Sequence, residues 1–133
     1  MARQPNISIA RDDADRLWAL LEHGIGRRDQ SAVEHLEDEL ARARIVEPDA
    51  LSPHVVRIGS RVRYEELTSG IERHVRLVWP HEADLDAGRI SVLSPIGAAL
   101  LGLAPDQEIE WPLPDRKARV RVLSVAPVSD RAD

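Results

Sequence analysis

The stretch of this chain that most constrains its fold runs from Arg89 to Leu103 and reads RISVLSPIGAALLGL. Apolar side chains recur at every second position in its first part, the pattern of a pleated strand. Ser94 can cap a helix, and Pro95 suits the first helical position, where its missing N–H costs no hydrogen bond. Gly102 supplies a left-handed stop. The stretch predicts a strand that turns directly into a short helix.

The first part of the chain has a helical period instead. Residues 12–23 and 31–44 each place apolar side chains at intervals of three and four, so each predicts a short amphipathic helix. The glycine-flanked connection between them carries Arg27, Arg28 and Asp29 at its tip. Two short helices joined by a brief turn predict an antiparallel helical hairpin, or short coiled coil, over residues 1–51.

From residue 52 onward the apolar pattern alternates with a period of two. Residues 61–67 and 71–79 read as a strand hairpin around a turn at 68–70, and residues 108–113 and 118–125 read as a second hairpin. Short antiparallel strands interrupted by one helix predict an α+β domain over residues 52–133.

Charge and composition exclude several classes of protein. The net charge is −5, which argues against independent binding to nucleic acid. Residues 1–51 hold 7 basic and 11 acidic side chains, so most of the negative charge lies there. No apolar window is long enough to span a bilayer or to act as a secretory leader, and cysteine is absent. We therefore expect a cytoplasmic protein without disulfides.

The motifs of common enzymes are missing. The sequence lacks the hydrolase elbow, the phosphate-binding loops and the zinc-protease motif. His81, Glu82 and Asp84 could in principle approach a metal, but their polar setting favours a solvated turn. An FKBP-type prolyl isomerase would need an aromatic-lined pocket, and the chain has no Phe and one Tyr. The sequence predicts a protein that is not an enzyme, with no cofactor and no metal.

The residues around the strand-to-helix stretch resemble a known family. The pattern ISV-x-SPI-x-x-AL-x-G from Ile90 to Gly102 is similar to the carboxy-terminal domain of the bacterial Gre transcription elongation factors. The longer run LSPIGAALLGL, followed by I-x-W-x-LP at 109–114, is more similar to the Rnk branch. Rnk factors are short-hairpin relatives, named for regulation of nucleoside diphosphate kinase. The resemblance implies an FKBP-like fold for residues 52–133.

The resemblance also implies a partner and a site. Gre factors grip the rim of the RNA polymerase secondary channel, in the β′ subunit, with an Asp-Ser-Pro turn. Ser94 and Pro95 match that motif, and Leu93 stands where Gre factors have Asp. The implied RNA polymerase-binding residues are therefore Leu93, Ser94 and Pro95, although a well-made helix start alone would also explain the last two.

The hairpin tip departs from the Gre pattern. Gre factors hold a metal ion at the polymerase active centre with two acidic residues at the tip of a much longer hairpin, and that ion activates water for RNA cleavage. This chain offers one acid, Asp29, beside Arg27 and Arg28, which would repel a cation. We expect a monomeric transcription regulator that occupies the secondary channel, competes with Gre-type factors and does not stimulate cleavage.

Two alternatives stay open at this point. The first is a true transcript-cleavage factor of the Gre type. The second is a non-catalytic interaction module with another protein partner, such as one that acts on nucleoside diphosphate kinase directly or through its expression. A solvated face is the expected role of the acidic run Glu34, Glu37, Asp38 and Glu39.

Overall fold

A computed structural model describes residues 7–23, 30–112 and 117–126 of the chain. They form an α+β fold in which helices pack against a five-stranded mixed sheet. Short 3₁₀ turns lie at 48–50, 80–82 and 85–87. The helices and strands, in chain order, are β1 (Ser8–Ala10), α1 (Arg11–Glu22), α2 (Gln30–Arg42), β2 (Arg44–Val46), β3 (Arg61–Glu66), β4 (Ile71–Val78), β5 (Arg89–Ser91), α3 (Pro95–Leu100), β6 (Glu108–Pro112) and β7 (Lys117–Ala126).

The sheet has the strand order β5-β4-β3-β7-β6. The two predicted hairpins, β3–β4 and β6–β7, are present within one or two residues of the expected bounds. The expectation of a wholly antiparallel sheet is wrong, because β5 runs parallel to β4. The connection between β4 and β5 carries the chain back along the sheet before β5 begins. The alternation of apolar residues could not predict this, because it contains no information about the direction of a strand.

The amino-terminal helices lie where the helical period predicted them. The connection between α1 and α2, with Arg27, Arg28 and Asp29, lies outside the described residues, so the helical hairpin stays a prediction. The parallel pairing of β1 with β2 was not expected. Each of these strands has only three residues, which is too short for a periodic signal.

One hydrophobic core cluster draws side chains from both predicted parts of the chain. Ile9, Leu17 and Leu36 are buried in the same cluster as the strand-helix unit. Ile7 packs directly on Gly102, where a Cβ atom would lie 2.6 Å from the Ile7 Cβ. The division into residues 1–51 and 52–133 stays a prediction, and the core shows that the two parts are packed together.

Two acidic side chains of the amino-terminal helices are buried. Asp13 accepts hydrogen bonds from the Arg57 guanidinium, whose Nε lies 3.1 Å away, and this ion pair joins α1 to the segment before β3. Burial raises the pKa of Asp13, while Arg57 opposes that rise. Glu39 is 3% exposed and pairs with Arg42, so its predicted place on a solvated face is wrong. It lies beside Leu40, at the edge of the buried stripe.

We predict that acidification destabilises the protein through His35. This imidazole is half-buried on α2; its Nε2 makes no hydrogen bond within the described residues and lies 3.8 Å from Glu39. Burial lowers the pKa of His35, and the smaller effect of Glu39 opposes it. The unfolded chain therefore takes up a proton near pH 6.5 that the folded chain does not, so stability falls as pH drops through that value.

Urea unfolding at pH 7.5 and pH 5.5 measures this effect. His35→Gln should lose less stability on acidification than the unsubstituted protein. His54→Gln, at an exposed histidine, is the matched control and should behave like the unsubstituted protein. An unchanged pH response of His35→Gln would contradict the assignment.

Candidate functional site

The turn between β5 and α3 is held by two serine side chains. The Ser94 hydroxyl donates to the Ser91 carbonyl at 2.6 Å and accepts from the Gly97 N–H at 3.2 Å. Ser94 is thus the N-cap of α3 and Pro95 its first residue, as the sequence predicted. The Ser91 hydroxyl accepts from the Leu93 N–H at 3.0 Å. These bonds pair the polar groups of the turn within the turn itself.

Gly97 permits the close packing of this turn. A Cβ atom at Gly97 would lie 2.0 Å from the Ser91 carbonyl oxygen, a distance at which the two atoms would overlap. The first turn of α3 therefore lies directly on the end of β5. The left-handed conformation of Gly102, with φ +85°, ends the same unit as predicted.

The predicted polymerase-binding residues occupy different environments. Leu93 is 5% exposed and its side chain belongs to the core, whereas Ser94 and Pro95 are half-buried at the surface. Of the three, Ser94 and Pro95 are the residues whose side chains reach the surface. Arg27, Arg28 and Asp29, the predicted hairpin tip, lie outside the described residues, so the structure does not relate them to this turn.

The sequence did not predict the contacts of Trp79 or the exposure of Leu85. The Arg16 guanidinium lies over the Trp79 ring, 4.1 Å from its centroid, and this contact joins α1 to the segment after β4. The backbone N–H of Trp79 donates to the Glu82 carboxylate at 3.3 Å. Leu85, in the same connection, is 82% exposed. Arg16 and Trp79 are distant in the sequence, so no local sequence pattern could have predicted their contact.

Among residues 7–23, 30–112 and 117–126, no three His, Asp or Glu side chains are grouped so that they could hold a metal ion. Within the same residues, no helix is both long enough and apolar enough to cross a membrane. The turn presents the Pro95 ring and the Ser94 hydroxyl at the surface.

Comparisons with known proteins agree with this geometry. The family model described as "Transcription elongation factor, GreA/GreB, C-term" matches residues 51–127, and the model "Rnk N-terminus" matches residues 5–46. The first covers more than half of the chain and includes the whole strand-to-helix turn. The fold and the turn therefore define a transcription factor of the Gre type.

Individual relatives show the same similarity. Transcription elongation factor GreA of Rhodospirillum rubrum is 41% identical over 112 residues, which cover 81% of this chain and 71% of the relative. The "Regulator of nucleoside diphosphate kinase" of Escherichia coli strain K12 is 36% identical over 111 residues, covering 84% and 81%. A solved GreA/GreB structure from Nitrosomonas europaea superposes with a TM-score of 0.71 at 42% identity, covering 92% and 99%.

The chain belongs to the GreA/GreB transcription elongation factor family, and its amino-terminal part places it in the Rnk branch. The predicted resemblance is therefore confirmed. The matched relatives are named as transcription factors or as a regulator.

We predict that Gly97→Ala destabilises the protein by about 3 kcal/mol, because the new methyl group would overlap the Ser91 carbonyl. Gly70→Ala is the matched control. Gly70 has φ +75° in a hairpin turn and nothing within 4 Å of the added atom, so only backbone strain of about 1 kcal/mol is expected. Chemical denaturation compares the two variants. Equal losses of unfolding free energy in the two variants would contradict this prediction, because they would show that α3 can move away from β5 at little cost.

Proposed function

We propose that this protein is a cytoplasmic transcription regulator that binds RNA polymerase at the secondary channel. The turn at Ser94 and Pro95 would contact the rim of the channel in the β′ subunit, as the corresponding turn does in Gre factors. The protein would then compete with Gre-type factors for that position and would act as a monomer. Its effect on transcription would come from occupying the channel.

The observation that carries this proposal is the construction of the turn. Ser94 and Pro95 are held in one conformation by the hydrogen bonds to Ser91 and Gly97, so binding needs little further ordering of the chain. Leu93 replaces the Gre aspartate and packs in the core. Leu93 would therefore support the turn from below, and the surface contact would depend on Ser94 and Pro95 without the aspartate charge.

We further propose that the protein binds without stimulating RNA cleavage. Helix α1 has 12 residues and α2 has 13, so each spans about 18–20 Å at 1.5 Å per residue. The resemblance assigns Gre factors a hairpin several times longer. The connecting sequence also supplies one acid, Asp29, between two arginines and the helix start, whereas Gre-type metal binding uses two acids. Both features support occupancy of the channel mouth only.

We predict that Pro95→Glu abolishes binding to core RNA polymerase while the fold persists. A glutamate is tolerated at the first position of a helix, but it places a charged, larger side chain on the proposed contact surface. Co-migration with core polymerase on a sizing column measures binding, and circular dichroism checks the fold. Pro48→Glu, at the first position of an exposed 3₁₀ turn, is the matched control and should bind normally.

Competition locates the binding site. Excess GreA should displace the unsubstituted protein from polymerase, since both would contact the same rim. Unchanged binding of a folded Pro95→Glu variant would overturn the role of the turn. Binding that GreA does not displace would place the protein elsewhere on the enzyme, and no binding at all would favour a different protein partner.

In a separate assay, stalled elongation complexes should show no shortened transcripts when this protein is added with magnesium. GreA under the same conditions is the positive control and should shorten the RNA. A mixture of the two should cleave more slowly than GreA alone, because the channel is shared. Cleavage by this protein alone would establish the alternative function, a Gre-type cleavage factor.

A further inference from the structure

The open face of the sheet carries a row of three arginines on three adjacent strands. Arg61 of β3 lies directly opposite Arg76 of β4, and Arg76 lies directly opposite Arg89 of β5. Residues paired in register across a sheet point to the same face, and like charges in such positions destabilise the sheet.

A second pair of basic side chains extends the cluster by one row. Arg63 faces His74 on the same side of β3 and β4. Glu72 is an acidic neighbour of this pair, with its carboxylate 3.7 Å from Arg63. All these basic side chains except the half-buried Arg76 are exposed. We call these five residues the arginine cluster: Arg61, Arg63, His74, Arg76 and Arg89.

The remaining part of the same sheet face is arranged differently. There Glu108 accepts from Arg121 at 2.6 Å and from Arg119 at 2.9 Å, so opposite charges are paired across β6 and β7. The hydrogen bond from Arg121 lowers the pKa of Glu108, and the smaller effect of desolvation opposes that shift. Positive charge is therefore concentrated at the β5 end of the sheet and balanced at the β6 end.

The arginine cluster lines a groove of about 620 Å³. Ala87 and Gly88 from the connection before β5 form one wall, and Ser124 of β7 adds a hydroxyl group at the other side. A groove of this volume is in the range of small-molecule sites. A second groove, around the edge of the sheet, shares Arg76 and Arg89, which places Arg76 at the centre of the cationic surface.

We propose that the arginine cluster binds an oligophosphate, a small ligand in which several phosphate groups follow one another. Guanidinium groups bind phosphate oxygens with charge-assisted, often bidentate hydrogen bonds. Bound anions would also reduce the repulsion between Arg76 and Arg89, which lie directly opposite each other. This site is separate from the Ser94–Pro95 turn and does not depend on polymerase binding.

The dimensions favour phosphates over an acidic peptide. Three adjacent strands span about 10 Å, and two rows on one face are about 7 Å apart. An extended peptide presents a side chain to one face only every second residue, about 7 Å apart, so it would place about two carboxylates on the cluster. A chain of three phosphates concentrates more negative charge in the same area, which matches the density of basic groups better.

Calorimetric titration of the full chain with inorganic tripolyphosphate tests the proposal. The unsubstituted protein should bind saturably, and monophosphate should bind more weakly. Arg76→Gln removes the central charge and keeps most of the side-chain stem, so affinity for tripolyphosphate should fall at least about tenfold. The same variant should unfold at an equal or higher temperature, because two like-charge contacts are relieved.

Arg119→Gln is the matched control, with the same change of charge on the same sheet face. It should keep its tripolyphosphate affinity within about twofold and should be less stable, because Glu108 loses a partner. Absence of saturable binding, or an equal loss of affinity in both variants, would overturn the site. Comparable binding of a hexaglutamate peptide would overturn the assignment to phosphate and indicate an acidic protein segment instead.

Discussion

The close contact between Gly97 and the Ser91 carbonyl determines much of this structure. It lets the first turn of α3 pack directly on the end of β5, so the strand and the helix form one unit joined by the tight turn at 92–94. The two serine hydroxyls then satisfy the backbone groups that such an abrupt turn exposes. Backbone packing and these hydrogen bonds therefore fix the conformation of the turn without large side chains.

The same unit anchors the amino-terminal part of the chain. Gly102, which ends α3, leaves space that Ile7 fills, and the Gly102 N–H donates to the Val56 carbonyl at 2.9 Å. The ion pair of Asp13 with Arg57 and the stacking of Arg16 on Trp79 add polar contacts between the same regions. The amino-terminal helices are thus held in place by contacts with residues 56–57, 79 and 102.

Two groups of arginines on one face of the sheet are arranged differently. Arg119 and Arg121 are paired with Glu108 and contribute to the sheet itself, whereas Arg61, Arg76 and Arg89 stand in register as like charges. The like charges of the second arrangement repel one another across the strands. That contrast on one sheet face, rather than the number of basic residues, distinguishes a candidate binding surface from an ordinary solvated one.

The sequence by itself determined the local structure: the strand hairpins, the α3 cap and stop, and the resemblance to Gre factors. Each depends on residues close together in the chain, where periodicity, Ser94, Pro95 and Gly102 act through neighbouring backbone groups. Only the tertiary structure decided the parallel placement of β5, the burial of Leu93 and Glu39, and the register that aligns the three arginines. Those features depend on which distant segments meet, and a one-dimensional pattern contains no information about strand direction or cross-strand register.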